Sequence, residues 1–407
     1  MNNVLIGQSG GPTAAINASL AGAYEAAVRL GAPKVYGMRF GIEGFLHGKV
    51  VDLADYLKTP ADIELLKRTP SSFLGSCRYK LPDFAADSEV YDRLFARFSE
   101  LGIGCVIYIG GNDSMDTVKM LSAYAKKIGS GVRFVGVPKT IDNDLAITDH
   151  TPGFGSAAKY IAASIGEIRR DSTVYDLKSV TVVEIMGRNA GWLTAAAALA
   201  QTDTSLGADL IYLPEAVFDT DAFLIRVGEL VRERGNIIVA VSEGIKNADG
   251  KYISESTTYS DKADSFGHSA LGGTAARLSA MIVAKLGIKS RGIELSTLQR
   301  CASHICSLCD INEAYDAGAE GVRRAFAGES GIMIVFGRVS DFPYRIEMTG
   351  ADIDKIANVE RRVPEDWILP GGQLDLQKVR RYMLPLVQGE LPPQFCCGLP
   401  QHLSIEK

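Results

Sequence analysis

Carboxylate, amide and glycine residues cluster in two short loops, which carry the chemistry that the sequence offers. Residues 110–114 read Gly-Gly-Asn-Asp-Ser, and residues 139–144 read Lys-Thr-Ile-Asp-Asn-Asp. Alternate residues of an extended loop face one side, so one of Asp142 and Asp144 could act as a base while the other holds Mg²⁺. Glycine amides and a lysine suit a phosphate. The loops predict phosphoryl transfer, whereas an Asx-rich turn that only caps its own backbone is the alternative.

Two buried strands must present these loops. Residues 105–109 and 134–137 are short apolar or β-branched runs, each ending directly before one of the loops. Residues 116–127 have the pattern of a helix that crosses from one strand to the next. Open α/β sheets bind ligands beyond the carboxyl ends of their strands. The sequence therefore predicts a βαβ unit in which both loops face one crevice.

Two further segments offer groups for a phosphoryl donor. Residues 3–29 predict a strand, a Gly-Gly loop and a helix from about Thr13, with Ser9, Gly10 and Gly11 in the loop. Their spacing fits neither the Walker A loop nor the dinucleotide fingerprint. The small-residue loop at 72–80 adds Arg78, whose cation could make charge-assisted contacts with a phosphate.

The second half of the chain repeats the pattern of a strand followed by a polar turn. A predicted strand at 179–184 precedes Met186-Gly187-Arg188, and one at 236–242 precedes Glu243. Residues 291–300 predict a strand and turn with an arginine at each end, and residues 246–270 predict an exposed polar excursion. These turns are candidates for binding a second substrate.

Composition limits the class of protein. The chain has 407 residues, which predicts two domains, and it is 46% hydrophobic with a net charge of −5. The mild acidity argues against nucleic acid or a membrane surface as a partner. Neither an apolar run of about 20 residues nor a signal-peptide pattern is present in the sequence. We expect a cytoplasmic protein.

Seven cysteines do not form a disulfide framework, because their number is odd and their spacing is wide. Cys306-x-x-Cys309 resembles half of a zinc site, but structural zinc needs four ligands, usually in two spaced pairs. We therefore expect small buried thiols on a helix.

Six ordered motifs resemble the phosphofructokinase family, and within it the pyrophosphate-dependent branch. They are Gly10-Gly11, the loop at 110–114, the segment at 138–144, Met186-Gly187-Arg188, Glu243 and Leu298-Gln299-Arg300. The resemblance covers roughly residues 3–340 and implies an α/β fold with two Rossmann-like domains, mainly parallel sheets and an active site in the cleft between them. It implies a donor domain at 1–153 plus about 304–347, a fructose 6-phosphate domain at 154–303 and a C-terminal extension at 348–407.

The same resemblance assigns roles to residues. Asp142 would be the general base on the 1-hydroxyl group of fructose 6-phosphate, with Lys139, Asp113 and Thr140 as further catalytic residues. The sugar phosphate would be bound by Thr140, Ile141, Asp142, Met186, Gly187, Arg188, Glu243, Arg291, Thr297, Leu298, Gln299 and Arg300. The donor would be bound by Gly10, Gly11, Arg78, Gly111, Asp113 and Lys139. The implied cofactor is Mg²⁺, with Asn112 and Asp144 as ligands.

The choice of donor depends on two positions. Family members that use ATP have glycine where this chain has Asp113 and Lys139. A carboxylate at 113 lies where the α-phosphate of ATP would be, and like charges a few ångströms apart in a partly desolvated cleft cost several kcal/mol. Lys139 supplies a cation to a short donor that lacks nucleotide contacts. The expected donor is pyrophosphate.

Departures from the family pattern leave three alternatives. Asn112 replaces an acidic metal ligand of many relatives, which would suit a catalytically inactive sugar-phosphate-binding subunit. An ATP-dependent 6-phosphofructokinase is the second alternative, and a fold like that of lipid or NAD kinases is the third. Leu20 and Tyr24 replace effector-binding arginines, which predicts an enzyme without nucleotide regulation. Arg291 matches an arginine that crosses a subunit boundary, which predicts a homodimer or homotetramer.

Overall fold

The computed structural model describes residues 2–254, 272–369 and 373–405. Most of the polar excursion predicted at 246–270 lies outside these residues. Within them the strands are β1 Asn3–Gln8, β2 Val35–Met38, β3 Val50–Asp52, β4 Ile103–Gly110, β5 Arg133–Pro138, β6 Ser179–Ile185, β7 Leu210–Tyr212, β8 Asn236–Ser242, β9 Lys289–Glu294, β10 Ile332–Asp341, β11 Tyr344–Asp352, β12 Phe395–Cys396 and β13 Leu399–Pro400. The helices are α1 Ile16–Arg29, α2 Gly41–Leu46, α3 Pro60–Arg68, α4 Glu89–Glu100, α5 Asn112–Ile128, α6 Phe154–Ser172, α7 Trp192–Ala195, α8 Thr220–Arg234, α9 Thr274–Leu286, α10 Leu298–Cys301, α11 Leu308–Phe326 and α12 Leu376–Met383.

The chain divides into two compact units. The first unit comprises Met1–Ser156, Arg300–Glu360 and Gln388–Lys407, and the second comprises Ala157–Gln299 and Arg361–Val387. The C-terminal extension predicted at 348–407 is therefore shared, because its middle part belongs to the second unit and its two ends belong to the first. The boundary between the units also separates Gln299 from Arg300, two neighbours in one predicted motif.

The first unit is built on a seven-stranded sheet with the order β11-β10-β5-β4-β1-β2-β3. Strands β2, β1, β4, β5 and β10 run parallel, while β3 and β11 pair antiparallel at the two edges. Gly110 at the end of β4 pairs with Pro138 at the end of β5, and Gln8 at the end of β1 pairs with Ile109. Three polar loops therefore leave one edge of the sheet side by side, as the sequence predicted for two of them.

Helices cover both faces of this sheet. Buried residues of β1, β4, β5, α1 and α11 form one hydrophobic cluster, and buried residues of α4, α5 and the other sheet face form a second. Helices α1 and α11 touch backbone to backbone, because a methyl group added at Gly22 would lie 1.9 Å from the Tyr315 carbonyl oxygen and one added at Gly318 would lie 1.9 Å from that of Ser19. The position of α1 is thus fixed by α11.

The second unit contains a parallel four-stranded sheet with the order β7-β8-β6-β9. Ile185 at the end of β6 pairs with Ser242 at the end of β8, which brings the turns after these strands together. The central strands are apolar and buried, and their core includes residues of α8 and α9. The edge strand β9 is exposed or half-buried along its whole length.

Several predicted elements have different bounds in the structure. The crossover helix expected at 116–127 is longer, since α5 starts at Asn112 and places Asn112 and Asp113 in its first turn. The prediction of both residues in a loop was wrong, because Gly111 is the N-cap and an acidic first turn is stabilised by the helix dipole. Cys309 lies in α11, Cys306 is buried just before it, and both are free thiols.

Candidate active site

The ends of β4 and β5 bring the two chemically important loops into contact. The Lys139 amide donates to the Gly110 carbonyl oxygen at 2.9 Å, so the second loop starts against the first. No side chain fits at Gly110, because an added methyl group would lie 2.0 Å from the Ser114 hydroxyl oxygen. The predicted juxtaposition of these loops is confirmed.

Lys139 is a buried cation at the Gly10–Gly11 loop. Its side chain is 2% exposed, and its Nζ donates to the Gly11 carbonyl oxygen at 2.6 Å. A methyl group added at Gly11 would lie 3.5 Å from an Arg300 guanidinium nitrogen, so a second cation approaches the same loop. Burial, together with the smaller effect of the Arg300 charge, lowers the pKa of Lys139 to about 8, against the opposing charge of Asp142. Two poorly solvated cations beside glycine form a site that attracts a phosphate.

The loop that carries Asp142 and Asp144 is closed on itself by other polar groups. The Asp142 amide donates to the Thr140 hydroxyl at 3.1 Å, and the Thr151 amide donates to the Asn143 side-chain oxygen at 3.1 Å. The Thr151 hydroxyl donates to the Thr140 carbonyl oxygen at 2.8 Å. An Asx-rich turn is expected to cap backbone amides with side-chain oxygens. In these contacts the capping oxygens belong to Thr140 and Asn143.

Asp144 is the carboxylate best suited to a cation. Its Oδ1 is buried, and it has no hydrogen-bond partner in the described part of the chain. Burial raises the pKa of Asp144 to about 7, and the neighbouring charge of Asp142 raises it as well. A desolvated anionic oxygen is stabilised by a hard divalent cation. Asp144 therefore fits the metal role that the sequence predicted.

Asn112 is engaged with the chain around residue 358. Its Oδ1 accepts from the Asn358 amide at 2.6 Å, and its Nδ2 donates to the Val359 carbonyl oxygen at 3.1 Å. Among residues 2–254, 272–369 and 373–405, no group of three His, Cys, Asp or Glu side chains is arranged to hold a metal. Mg²⁺ commonly uses one or two protein oxygens and takes the rest from phosphates and water. A site at Asp144 that relies on the donor's oxygens fits this chemistry.

The loop that carries Arg78 is tied to the Gly10–Gly11 loop. The Ser76 hydroxyl donates to the Gly10 carbonyl oxygen at 2.6 Å, and the Ser9 hydroxyl donates to the Cys77 carbonyl oxygen at 3.5 Å. Arg78 follows directly and is exposed. Asp113 is also exposed, in the first turn of α5.

Two buried amides that the sequence analysis missed organise the donor loops. The Gln8 side chain accepts from the Leu74 amide at 2.9 Å and donates to the Asn17 side-chain oxygen at 2.9 Å. Asn17 also accepts from the Phe73 amide at 2.9 Å. The sequence offered two signals for these amides: a glutamine at the end of an apolar strand and an asparagine in an Ala-rich helix.

In the second unit the turns after β6 and β8 meet. The Gly187 amide donates to Glu243 Oε1 at 3.3 Å, and the Ser242 hydroxyl donates to the Gly187 carbonyl oxygen at 2.6 Å. The Met186 amide donates to the Gln299 side-chain oxygen at 3.3 Å. Four of the predicted sugar-binding residues are thus in direct contact, and Arg188 follows them as a half-buried cation.

The remaining sugar-binding candidates of the second unit are exposed. Thr297 and Leu298 lie at the surface, and the Leu298 side chain is 60% exposed. Arg291 lies on β9 opposite Thr181, four residues before β6 ends at Ile185, which is about 13 Å along a strand. Its Nη1 is 3.7 Å from Asp171 Oδ2. The second unit does not bring Arg291 to the turn after β6.

Comparison with known proteins identifies the family of this chain. The model of the family described as "Phosphofructokinase" matches residues 3–293. The chain belongs to the phosphofructokinase family. It is 42% identical to a pyrophosphate–fructose 6-phosphate 1-phosphotransferase of Methylococcus capsulatus over 99% of this chain and 96% of that protein. It is 40% identical to the protein of that name from Xanthomonas campestris, over 99% and 96%.

A solved structure is similar as well. The pyrophosphate-dependent phosphofructokinase of Nitrosospira multiformis superposes with a TM-score of 0.88 at 37% identity, covering 98% of this chain and 95% of that one. The predicted phosphofructokinase-like α/β fold and the resemblance to the pyrophosphate-dependent branch are confirmed. Among the described residues, no helix combines the length and the apolar character needed to cross a membrane.

Proposed function

We propose that this phosphofructokinase transfers a phosphoryl group reversibly from pyrophosphate to fructose 6-phosphate, with Mg²⁺, giving fructose 1,6-bisphosphate and phosphate. The observation that carries the proposal is the buried Lys139, whose Nζ lies 2.6 Å from the Gly11 carbonyl oxygen. Relatives about 40% identical over the whole chain carry the corresponding activity in their names. The names of these relatives give small phosphorylated molecules as substrates. A few cations at one site can bind such molecules, and a broad basic surface is not needed.

The residues of the first unit can perform the transfer as follows. Asp142 takes the proton of the sugar 1-hydroxyl as that oxygen forms a bond to the nearer phosphorus of the donor. The bond from this phosphorus to the bridging oxygen breaks, and the second phosphate leaves with the electron pair. Lys139 offsets the negative charge that develops on the transferring and leaving groups. Mg²⁺ held by Asp144 and by oxygens of the donor would supply further charge neutralisation.

Asp113 gives a physical reason for the choice of donor. A 17-residue helix that follows two glycines is an anion-binding site, because its first amides and its dipole attract negative charge. Asp113 places a carboxylate in that first turn, so the part of the helix that would bind an anion already carries a negative charge. A nucleotide whose α-phosphate approaches this turn meets repulsion, whereas pyrophosphate is short enough to stay at the Gly10–Gly11 loop and Lys139.

Recognition of the sugar phosphate is assigned to the second unit and to Arg300. We infer that Gly187, Glu243 and their neighbours bind the sugar, with Arg300 beside the phosphoryl group that is transferred. Arg291 would bind the 6-phosphate of a sugar held by another copy of the chain, in a homodimer or homotetramer. The exposure of β9 and its distance from the turn after β6 support this assignment.

A donor comparison on the purified protein tests the proposal. Fructose 6-phosphate and Mg²⁺ are supplied with either pyrophosphate or ATP, and fructose 1,6-bisphosphate is measured with a coupled assay. We expect turnover with pyrophosphate and little with ATP. Faster turnover with ATP would reject the donor argument, and no turnover with either donor would favour an inactive sugar-phosphate-binding subunit.

A further inference from the structure

His150 lies between two carboxylates in the interior of the first unit. The residue is 1% exposed, and it follows Asp144 by six positions. Its Nδ1 is 2.8 Å from Asp149 Oδ2, and its Nε2 is 2.7 Å from Glu313 Oε2 on α11. Both ring nitrogens are therefore within hydrogen-bond distance of an oxygen that belongs to an acid.

The geometry specifies the charge of the ring. Ionised carboxylates only accept hydrogen bonds, so a ring that bonds two of them must donate from both nitrogens, which only the imidazolium form does. Asp149 also accepts from Arg338 at 2.9 and 3.1 Å, and Glu313 accepts from the Tyr344 hydroxyl at 2.7 Å. The ring and Arg338 are thus paired with Asp149 and Glu313, and Arg338 also reaches the partly exposed Asp341 at 3.3 Å. Such pairing is the condition for keeping charges in a protein interior.

Other groups that pack against the cluster do not reverse this charge. Burial lowers the pKa of His150, but the charges and hydrogen bonds of Glu313 and Asp149 outweigh burial and raise it to about 9. Arg338 pairs with Asp149 and also with the partly exposed Asp341, so it offsets part of the negative charge that faces His150.

Cys309 and Asp310 of α11 face Glu313. Burial raises the pKa of the Cys309 thiol, which therefore stays neutral. Burial raises the pKa of Asp310 only to about 6, so at neutral pH Asp310 is an anion that accepts hydrogen bonds from Gly153 and Ser156.

The cluster is connected directly to the catalytic loop. Thr151, the next residue, holds Asn143 and the Thr140 carbonyl through two hydrogen bonds. Two residues later the Gly153 amide donates to Asp310 Oδ1 at 2.8 Å, on the same helix as Glu313 and one turn before it. Helix α11 therefore holds the chain that follows Asp142 and Asp144 at two points, His150 through Glu313 and Gly153 through Asp310.

Helix α11 also fixes the donor loop. It packs backbone to backbone on α1, whose first turn follows the Gly10–Gly11 loop. One helix is thus a common reference for the base and for the donor-binding glycines. A misplacement of about 1 Å between reacting groups can cost about 100-fold in rate, so the rigidity of this attachment matters.

We propose that His150 is a positioning residue of the phosphoryl transfer: as an imidazolium between Asp149 and Glu313, it holds the Asp142–Asp144 segment against α11. The inference depends on the proposed function, because its kinetic consequence is defined for that reaction. His150 is 1% exposed, so we expect its effect to be transmitted through Thr151 and Thr140 and not by contact with a substrate.

The charge of the ring is tested directly on the wild-type full chain. Histidine is labelled with ¹⁵N, the signal of His150 among the five histidines is assigned with His150→Gln, and the ring is titrated by NMR from pH 6 to 10. We expect both nitrogens of His150 to stay protonated at pH 7.5 and to titrate near pH 9. A neutral ring at pH 7.5 would overturn the proposal, whether or not the protein transfers phosphate.

The positioning role is tested with His150→Gln and Glu313→Gln, with His402→Gln at an exposed histidine as the control. We expect kcat with pyrophosphate to fall on the order of tenfold to a hundredfold. The KM values for both substrates should change less than threefold, since the binding groups remain. Glu313→Gln should also move the NMR titration of His150 to lower pH, which a general loss of stability would not do.

The outcomes separate this inference from the proposed function. An inactive wild type rejects the function, while the NMR titration still reports the charge. An active wild type together with a His150→Gln kcat within twofold of it rejects the positioning role. If His150→Gln does not fold, Glu313→Gln decides through the same kcat and NMR readouts.

Discussion

The loop of the first unit that carries the proposed catalytic residues and the sugar-binding loops proposed in the second unit are built differently. In the first unit Lys139, Thr140 and Ile141 are at most 9% exposed, and the loop is closed by its own hydrogen bonds. In the second unit Arg291, Thr297 and Leu298 are exposed, although Glu243 and Gln299 are held in place. The reacting groups are thus preorganised, whereas part of the sugar recognition surface depends on what binds to it. We therefore expect substitutions in the first unit to reduce activity more than substitutions at the exposed residues of the second unit.

The largest effect is expected at Asp142, the proposed general base. Asp142→Asn keeps the size of the side chain and removes its ability to take a proton, so kcat should fall on the order of 1,000-fold. Fructose 6-phosphate should still bind, as measured by calorimetry, because the contacts in the second unit are unchanged. Glu100→Gln, at an exposed carboxylate of the same unit, serves as the control. A kcat within tenfold of wild type would assign proton removal to another group.

Lys139 should have the next largest effect. Lys139→Met removes a cation that is buried beside the Gly10–Gly11 loop, and we expect kcat/KM for pyrophosphate to fall about 100-fold. The exposed Lys126→Met is the matched control. A loss confined to KM for fructose 6-phosphate would contradict a role at the donor.

The pH dependence of the wild type sharpens the assignment of Lys139. Its pKa is lowered to about 8 by burial, so the ammonium is present below pH 8 and is lost above it. We expect kcat/KM for pyrophosphate to decline above about pH 8. Between pH 8 and 10.5 the unfolded chain holds more protons at this lysine, so its contribution to stability rises with pH while activity falls. If kcat/KM declines only as the protein unfolds, deprotonation of Lys139 is not the cause of the decline.

Local sequence signals predicted the βαβ unit and its two loops. Apolar runs before residues 110 and 139 define adjacent strands, and parallel strands end at the same edge of a sheet. The start of α5 at Asn112 was missed, because glycine and asparagine usually indicate a loop. Here Gly111 is instead the N-cap of the helix.

Contacts between distant parts of the chain could not be predicted. His150 and Glu313 are 163 positions apart, and Gln8 meets Leu74 across 66 positions. No local pattern relates such residues, because the sheet order and the packing of α11 on α1 bring them together. The same holds for Arg300, which belongs to the first unit although Gln299 belongs to the second.

Asp113 should affect the choice of donor more than the rate. Asp113→Asn removes the carboxylate from the first turn of α5 but keeps a similar shape, so the helix N-terminus can attract a phosphate again. We expect the ratio of kcat/KM for ATP to that for pyrophosphate to rise about tenfold, measured with both donors on one preparation. Asp116→Asn, one turn further along α5, is the control. An unchanged ratio would mean that donor choice lies elsewhere in the first unit.

Arg291 should have the smallest effect and the most specific one. The first unit's catalytic groups are complete without it, so Arg291→Ala should leave kcat nearly unchanged. Loss of a charge-assisted contact worth about 1.5 kcal/mol should raise KM for fructose 6-phosphate about tenfold. Exposure of β9 and its separation from the turn after β6 support the proposal that Arg291 acts on a sugar held by another copy of the chain.

Hybrid oligomers decide whether Arg291 acts on its own copy. In a mixture of Arg291→Ala and Asp142→Asn chains, a site with Asp142 from one copy and Arg291 from the other has both native residues. Turnover at low fructose 6-phosphate should therefore exceed the sum for the two separate variants, approaching half of wild type for a purified hybrid dimer and about a quarter for a random one-to-one mixture. If Arg291 serves its own chain, every hybrid site carries one defect and mixing restores nothing. That result would place the exposed surface of the second unit outside the reaction and leave the sugar phosphate to Arg188 and Arg300.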